Sequence, residues 1–479
     1  MAAGAQAADL PVNAKAVEYV KVCSLYGAGF YYIPGTDICM KVGGYVRAEY
    51  SYNSGDNSIN LTFAGTSGQT TRVNGNDFLM RSRAHASFDT RQQTQYGTLR
   101  TFLNVGVTYD SPLASSLGFQ SNRAFIQIAG FTFGTATSFY DFYSASATSY
   151  FRPPSSDTDD PGWKIAAYTA QFGGGVSATI SLEEPRRFTV ANTSIANTYF
   201  LAGALPTADI INIRYPDVVG ALRVDQTWGS AQIMGALHDA SGGYYGTTLT
   251  GSMSNGNPAD KMGFAVGAGI RINTPFVSPG DYFQAQMNYT HGALRYVAFA
   301  QANAFSPNMF NGATSIGFGQ FSDGVFSGGT AAGILGTGTA VQLTTAWGVN
   351  AAYEHFWTPA LRTSLYASYF KVTHSATATT LICGTGSGGA GVLGPFSGTC
   401  DPGMWDWAFW TVGSRSQWNV TKDFYVGFDV IYQRLQTAAV GRTVTYTAAT
   451  GAAQPTGTRI LENQEAMVGR IRVHRDIVP

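Results

Sequence analysis

Between Asp77 and Asp89 the chain alternates. Phe78, Met80, Ala84, Ala86 and Phe88 take one parity, and Arg81, Arg83, His85, Ser87 and Asp89 take the other. A period of two sends successive side chains to opposite faces of a β-strand, so this stretch has one apolar and one polar face. Sixteen stretches with this alternation or a matching β-rich composition can be laid along the 479 residues, at 41–53, 77–91, 97–110, 121–129, 131–141, 163–172, 175–184, 218–228, 230–240, 260–273, 281–291, 341–356, 361–373, 406–419, 423–436 and 464–475. Residues 294–303 are a candidate seventeenth segment inside a long connection.

The joints between these stretches are alternately short and long. Short ones fall at 92–96, 130, 173–174, 229, 274–280, 357–360 and 420–422; long ones fall at 54–76, 111–120, 142–162, 184–217, 241–259, 292–340, 374–405 and 437–463. An even number of strands with short turns at one end and long loops at the other describes an outer-membrane β-barrel, with the long loops outside and both termini on the periplasmic side. Closure is required because every backbone group in lipid must be paired, which leaves no place for a sheet edge. Barrels of sixteen strands also leave an aqueous channel where smaller ones are filled by side chains. The expected fold is therefore all-β, a 16-stranded antiparallel transmembrane barrel.

Composition agrees with a lipid-facing surface. Charged residues are only 12% of the chain, against about 25% in soluble proteins, as expected if every second strand residue faces lipid. The charge-free window 324–353 is rich in Gly, Thr and Ser rather than strongly apolar, so no membrane helix is expected there. Net charge is zero, with 29 acidic and 29 basic residues, which gives no basic field for nucleic acid. Aromatic residues gather at strand ends (Tyr50, Tyr52, Tyr109, Phe131, Phe133, Phe356, Trp357, Trp405, Trp410, Trp418, Phe424, Tyr432), where interfacial girdles sit.

Parity then assigns the lumen. Tyr45, Arg47 and Glu49 point inward against outward Val46, Ala48 and Tyr50. Arg81, Arg83, Arg100, Arg123, Arg271, Arg470, Arg472 and His474 join the inward set. The third long joint carries Asp157, Asp159 and Asp160, with Asp141 just before it. Acids on a loop facing arginines on a wall would set a transverse field that sorts solutes by charge.

Candidates for other chemistry are weak. The glycine run 384–391 does not open a helix, and the six histidines form neither an HExxH motif nor a close pair. Glu183 and Glu184 point to opposite faces of a strand, so paired-carboxylate chemistry is disfavoured. No enzyme activity, metal or cofactor is expected. Cys23 with Cys39, and Cys383 with Cys400, are candidate disulfides of an exported chain, the alternative being four reduced thiols. Ala5-Gln6-Ala7 matches a signal-cleavage pattern. Residues 1–7 are thus read as a signal-peptide remnant, 8–40 as a periplasmic N-terminal segment and 41–479 as the barrel.

Residues 17–47 contain two cysteines, Gly27-Ala28-Gly29-Phe30, Ile33-Pro34-Gly35-Thr36 and Gly44-Tyr45-Val46-Arg47; Tyr215-Pro216-Asp217-Val218-Val219-Gly220 and Gly469-Arg470-Ile471-Arg472-Val473-His474-Arg475 follow. This combination resembles the alphaproteobacterial porins of the rhizobial and Brucella type, across the whole chain. The resemblance implies a homotrimer of sixteen-stranded barrels in outer-membrane lipid. Its third loop folds inward, and small hydrophilic solutes and ions pass by passive diffusion. Carried onto this sequence, the constriction would comprise Asp141, Asp157, Asp159 and Asp160 on the loop and Arg47, Arg81, Arg83, Arg100 and Arg123 on the wall. The chain departs from the usual aromatic terminus of such barrels, ending Ile477-Val478-Pro479. A surface adhesin acting through its long loops is the alternative function.

Overall fold

The computed structural model describes residues 21–52, 65–67, 78–111, 118–158, 162–193, 213–245, 255–298, 307–311, 314–328, 338–383, 400–446 and 457–477. Sixteen strands form the wall: β1 Cys39–Tyr52, β2 Phe78–Thr94, β3 Gly97–Asp110, β4 Gly118–Ile128, β5 Phe131–Ala136, β6 Trp163–Gly173, β7 Val176–Glu183, β8 Asp217–Gln226, β9 Gly229–Asp239, β10 Met262–Asn273, β11 Tyr282–His291, β12 Thr345–Phe356, β13 Leu361–Thr373, β14 Trp407–Asn419, β15 Phe424–Gln436 and β16 Gln464–Asp476. Each pairs antiparallel with the next, and β16 pairs back onto β1 from Asp476 opposite Tyr45 to Gly469 opposite Tyr52, so the sheet closes without an edge. Every strand matches a stretch expected from periodicity.

The outer surface is apolar, as a lipid-facing wall requires. Val46, Met80, Ile180, Ile233, Met287, Leu365 and Met467 are all exposed on it. Near the strand ends the exposed residues become aromatic, among them Tyr50, Tyr52, Tyr109, Trp357 and Trp418. Trp405 is different. It is buried in packing at the loop end and is not part of a girdle.

Two strands are shorter than their alternation suggests. The expected 131–141 stops at Ala136, because Glu183 on β7 captures the chain: it accepts from the Ser138 hydroxyl at 2.5 Å and from Phe139 N at 3.1 Å. The expected 341–356 begins in the wall only at Thr345. Residues Gln342–Leu343 pair with Gly324–Phe326 in a small sheet that also holds Val190–Asn192. Within 294–303, Leu294–Tyr296 is a single 3-10 turn rather than a strand, and 299–303 lie outside the described residues.

These side sheets belong to a folded cap at the long-loop end. Inward positions at that end of β13 to β15 are apolar: Phe370, Val372, Trp407, Phe409 and Leu435. Exposed to lumen water they would be unfavourable. Instead Phe188, Leu294, Val297, Phe321, Val325 and Ile382, from three long connections, cover them in one buried cluster. Two disulfides brace the ends of the molecule. Cys383–Cys400 pins the helix Ala376–Cys383 within the cap, and Cys23–Cys39 closes a hairpin before β1. In that hairpin the Phe30 ring lies 4.8 Å below the guanidinium of Arg91, an inward residue of β2 near the short-turn end.

His374, just past β13, is buried beside the cap, and burial lowers its imidazole to about 4. The group is therefore neutral at pH 7. Its unfolded value is about 6.5, so between pH 6.5 and 4 the unfolded state binds more protons than the folded one. The contribution is fully present above pH 6.5 and is lost as pH falls through that window. The loss is on the order of 3 kcal/mol by pH 4. Hydrogen exchange of the Ala376–Cys383 amides, corrected for intrinsic rates, should accelerate over that range, and His374→Phe should flatten the dependence. An unchanged profile in the variant would place the effect elsewhere.

Candidate pore constriction

The third long connection leaves β5 at Thr137 and returns at Trp163, and its described part is hydrogen-bonded along the far inner wall. Phe142 N and Tyr143 N donate to Gln286 Oε1 at 2.9 and 2.8 Å, and Gln284 Nε2 donates to Ser144 O at 2.9 Å. In the single helical turn Ala145–Thr148, Ala147 O accepts from Arg415 Nη1 at 2.9 Å and Thr148 O accepts from the Ser364 hydroxyl. At the tip, Ser149 Oγ and Tyr150 N donate to Asp429 Oδ2 at 2.9 and 2.5 Å. Tyr150 O accepts from Arg470 Nη1 at 2.7 Å and Arg472 Nη2 at 3.3 Å. The partners sit at inward parity on β11, β13, β14, β15 and β16.

Local sequence makes this contact possible. Small residues dominate the segment, and inward glycines give room to its aromatic rings. A Cβ on Gly427 would collide with the Tyr150 hydroxyl, and one on Gly269 with the Phe142 ring. Burial pushes the Tyr140, Tyr143 and Tyr150 phenols well above their ordinary value, which keeps them neutral. The root of the segment is fastened by Arg186, whose Nη2 lies 2.9 Å from Asp141 Oδ1 and whose Nη1 donates to Ser156 O at 2.8 Å. Burial alone would lower this guanidinium, but Asp141, Tyr296 and Glu183 outweigh it and hold it above the ordinary arginine value.

Beside the tip stands a cationic patch around one buried carboxylate. Strand register sets Arg47 beside Arg83, and Glu49 beside both Arg81 and Arg472. Arg472 Nη2 is 2.5 Å from Glu49 Oε1, while Arg81 and Arg470 each approach Glu49 to 3.9 Å. Arg81 also forks onto Asp110 at 2.6 and 2.8 Å, and Arg83 Nε donates to Thr108 Oγ1 at 3.0 Å. Arg47 Nε donates to His474 Nδ1 at 3.2 Å. Nearer the short-turn end, Asp89 receives both Arg91 and Arg100, at 2.9 and 3.0 Å.

The residues expected at a constriction therefore separate. Arg47, Arg81 and Arg83 lie close together on β1 and β2, and Arg100 belongs to the neighbouring Asp89 cluster. Arg123 sits at the root of the segment, donating to Thr137 Oγ1 at 3.0 Å and Asn122 O at 2.6 Å. Asp141 and Asp157 bond to groups at the root of the loop. The Asp141 side chain is 2% exposed and accepts from Thr158 N and Oγ1 as well as Arg186. Asp157, 5% exposed, accepts from Ala145 N at 2.8 Å. A loop must satisfy its own amides once it leaves the sheet, and these carboxylates do so. Asp159 and Asp160 lie outside the described residues.

Alternation missed Asp429, Gln286 and Tyr150, since it gives no distance from wall to loop. Arg470 and Arg472 were legible as inward residues, and their place beside Glu49 follows once first and last strands must pair.

The porin subfamily model matches residues 9–469. Porin Omp2b of Brucella melitensis is 33% identical over 240 residues, which cover 48% of this chain and 60% of that protein. Porin Omp2a of the same organism is 31% identical over 250 residues, with the same coverage. The alignments thus span 60% of the length of these relatives. Among solved structures, the outer membrane channel DcaP of Acinetobacter baumannii matches with a TM-score of 0.56 at 11% identity, covering 93% of this chain and 99% of that one, which is a likeness of fold. With a family match over nearly its whole length and a closed sixteen-stranded wall, the chain belongs to the porin subfamily and is a multi-pass β-barrel of the outer membrane.

Proposed function

We propose that the barrel is a water-filled channel for passive diffusion of small hydrophilic molecules and ions, and that it acts without catalysis. The observation that carries this reading is a closed wall whose mid-height inward positions are charged while its outward positions are apolar. Charged side chains at that height are tolerable only where they meet water, so they mark an aqueous path. The constriction is proposed to lie between the inward-folded segment 137–158 and the arginine wall of Arg47, Arg81 and Arg83. Family membership supports a homotrimer in outer-membrane lipid. Purified protein added to a planar lipid bilayer should give stepwise ion conductance, with steps arriving in groups of three. A folded protein that gives no steps would sink the channel reading, and strictly single steps would sink the trimer.

A further inference from the structure

We propose that the hairpin of residues 21–38 is a second, size-selective restriction of the channel, set inside its short-turn mouth. The inference rests on the channel reading above. The barrel seam gives the hairpin its place. β16 pairs with β1 from Tyr52 down to Tyr45, so the first residues of β1 extend beyond the end of that pairing. An uncovered strand edge carries unpaired N–H and C=O groups. Tyr31 and Tyr32 cover it, pairing antiparallel with Met40 and Cys39, and Val22 bridges to Tyr31 in turn.

From the seam the hairpin turns into the lumen. Cys39 and Lys41 share the inward parity of Arg47 and Glu49, and Cys39 stands opposite inward Arg91 of β2 in the register. The hairpin touches all three. Its Cys23 is bonded to Cys39, which is 1% exposed. Gly29 passes so near Lys41 that a Cβ on it would stand 3.2 Å from the lysine Cε. The Phe30 and Tyr26 rings lie 4.8 and 5.7 Å from the Arg91 guanidinium. Met40 pairs with Thr90 of β2 on one edge and with Tyr31 on the other. Tyr31 is thus on the seam side of β1 and Arg91 on the far side, and the chain between them has to cross the inner face of β1.

The crossing is a folded obstacle. Cys23 N donates to Phe30 O at 3.0 Å, Tyr32 N to Lys21 O at 2.8 Å and Ile33 N to Ile38 O at 2.9 Å. Phe30 is buried with the two cysteines, and Tyr26 and Tyr32 pack against them. Gly29, at φ +86°, makes the turn back toward the wall that other residues would make only with strain. Arg91, the anchor for both rings, is itself held by Asp89 at 2.9 Å. A fixed obstruction at a mouth acts through pore diameter, so it slows wide solutes more than small ions.

Liposome swelling and single-channel current of the full chain test this. Tyr26→Ala with Phe30→Ala removes both rings from Arg91 and keeps the disulfide, so the turn is released while its ends stay tied. A higher conductance level should then be occupied roughly tenfold more than in the unmodified protein. Swelling should speed up more for large sugars than for a pentose. Cys23→Ser with Cys39→Ser should act in the same direction, and Val22→Ser, at a side chain 73% exposed, should change neither readout. Unmodified size dependence in the ring variant, or a gain equal for every sugar, overturns the proposal and leaves the channel standing. Absence of any conductance in the unmodified protein removes the channel reading itself.

Discussion

Asp429→Ala is expected to raise unitary conductance and to make it noisy, because this carboxylate, together with Arg470 and Arg472, holds the tip of the inward segment to the wall. It accepts from Ser149 Oγ, Tyr150 N and the Tyr366 hydroxyl, with no exposure to solvent. Hydrogen bonds to a charged acceptor contribute about 1.5–3 kcal/mol each and are not additive. A loss on the order of 3–5 kcal/mol follows for the latched state. Since about 1.4 kcal/mol is tenfold in an equilibrium constant, the unlatched population should rise by roughly two to three orders of magnitude. Two effects then compete. Removing the carboxylate makes the lumen more positive, which changes ion preference, and releasing the tip widens the path, which changes conductance for every ion. Salt separates them. At 1 M KCl the electrostatic part is screened within about 3 Å, so a conductance increase that persists there is steric. Liposome swelling should likewise speed up for larger sugars. Asp429→Asn, which keeps an acceptor oxygen, should lie between the two. Wild-type swelling rates in the alanine variant would show that the segment is held elsewhere.

The latch also shows where alternation stops being informative. Parity placed Arg47, Arg81 and Arg83 inside the barrel because a strand offers only two faces, and one of them must meet lipid. That constraint is absolute, so the wall was readable almost residue by residue. It fails at the loop end, where inward Phe370, Trp407 and Phe409 meet neither lipid nor water but a cap built from distant connections. A third environment has no periodic signature. The acids of the third connection meet a related limit: composition reveals an acidic loop, but not whether the carboxylates face the pore or cap the loop's own amides. Asp157 does the latter toward Ala145 N, and Asp141 toward Thr158 N. The closing register of β16 on β1 is a consequence of barrel closure, and it converts two inward arginines on the last strand into partners of Glu49 on the first.

Arg186→Met should loosen the constriction and the cap together, because this fully buried guanidinium is the joint between them. Its charge meets Asp141 at the root of the inward segment, and its plane lies 4.5 Å from the ring of Tyr296 in the cap. The Tyr296 hydroxyl donates to Asp217 at 2.7 Å, and Asp217 accepts from Arg186 N at 3.1 Å and pairs with His238 at 2.8 Å. His238 in turn reaches Asp323 at 3.4 Å, and Asp323 receives Phe188 N and Leu294 N from two cap segments. Methionine keeps the bulk of the side chain and removes the charge, which strands the Asp141 carboxylate in a dry site. Breaking one side of a buried pair costs about 3–5 kcal/mol, whereas removing both charges is often close to neutral. Arg186→Met with Asp141→Asn should therefore recover most of the loss, giving a coupling energy of up to about 3 kcal/mol in a double-mutant cycle. The single variant should speed hydrogen exchange both at 138–158 and at 294–298. If exchange rises only at 138–158, the buried chain of Asp217, His238 and Asp323 holds the cap without Arg186, and the joint between cap and constriction lies in the Tyr140 to Tyr296 ring contact, whose centroids are 4.5 Å apart.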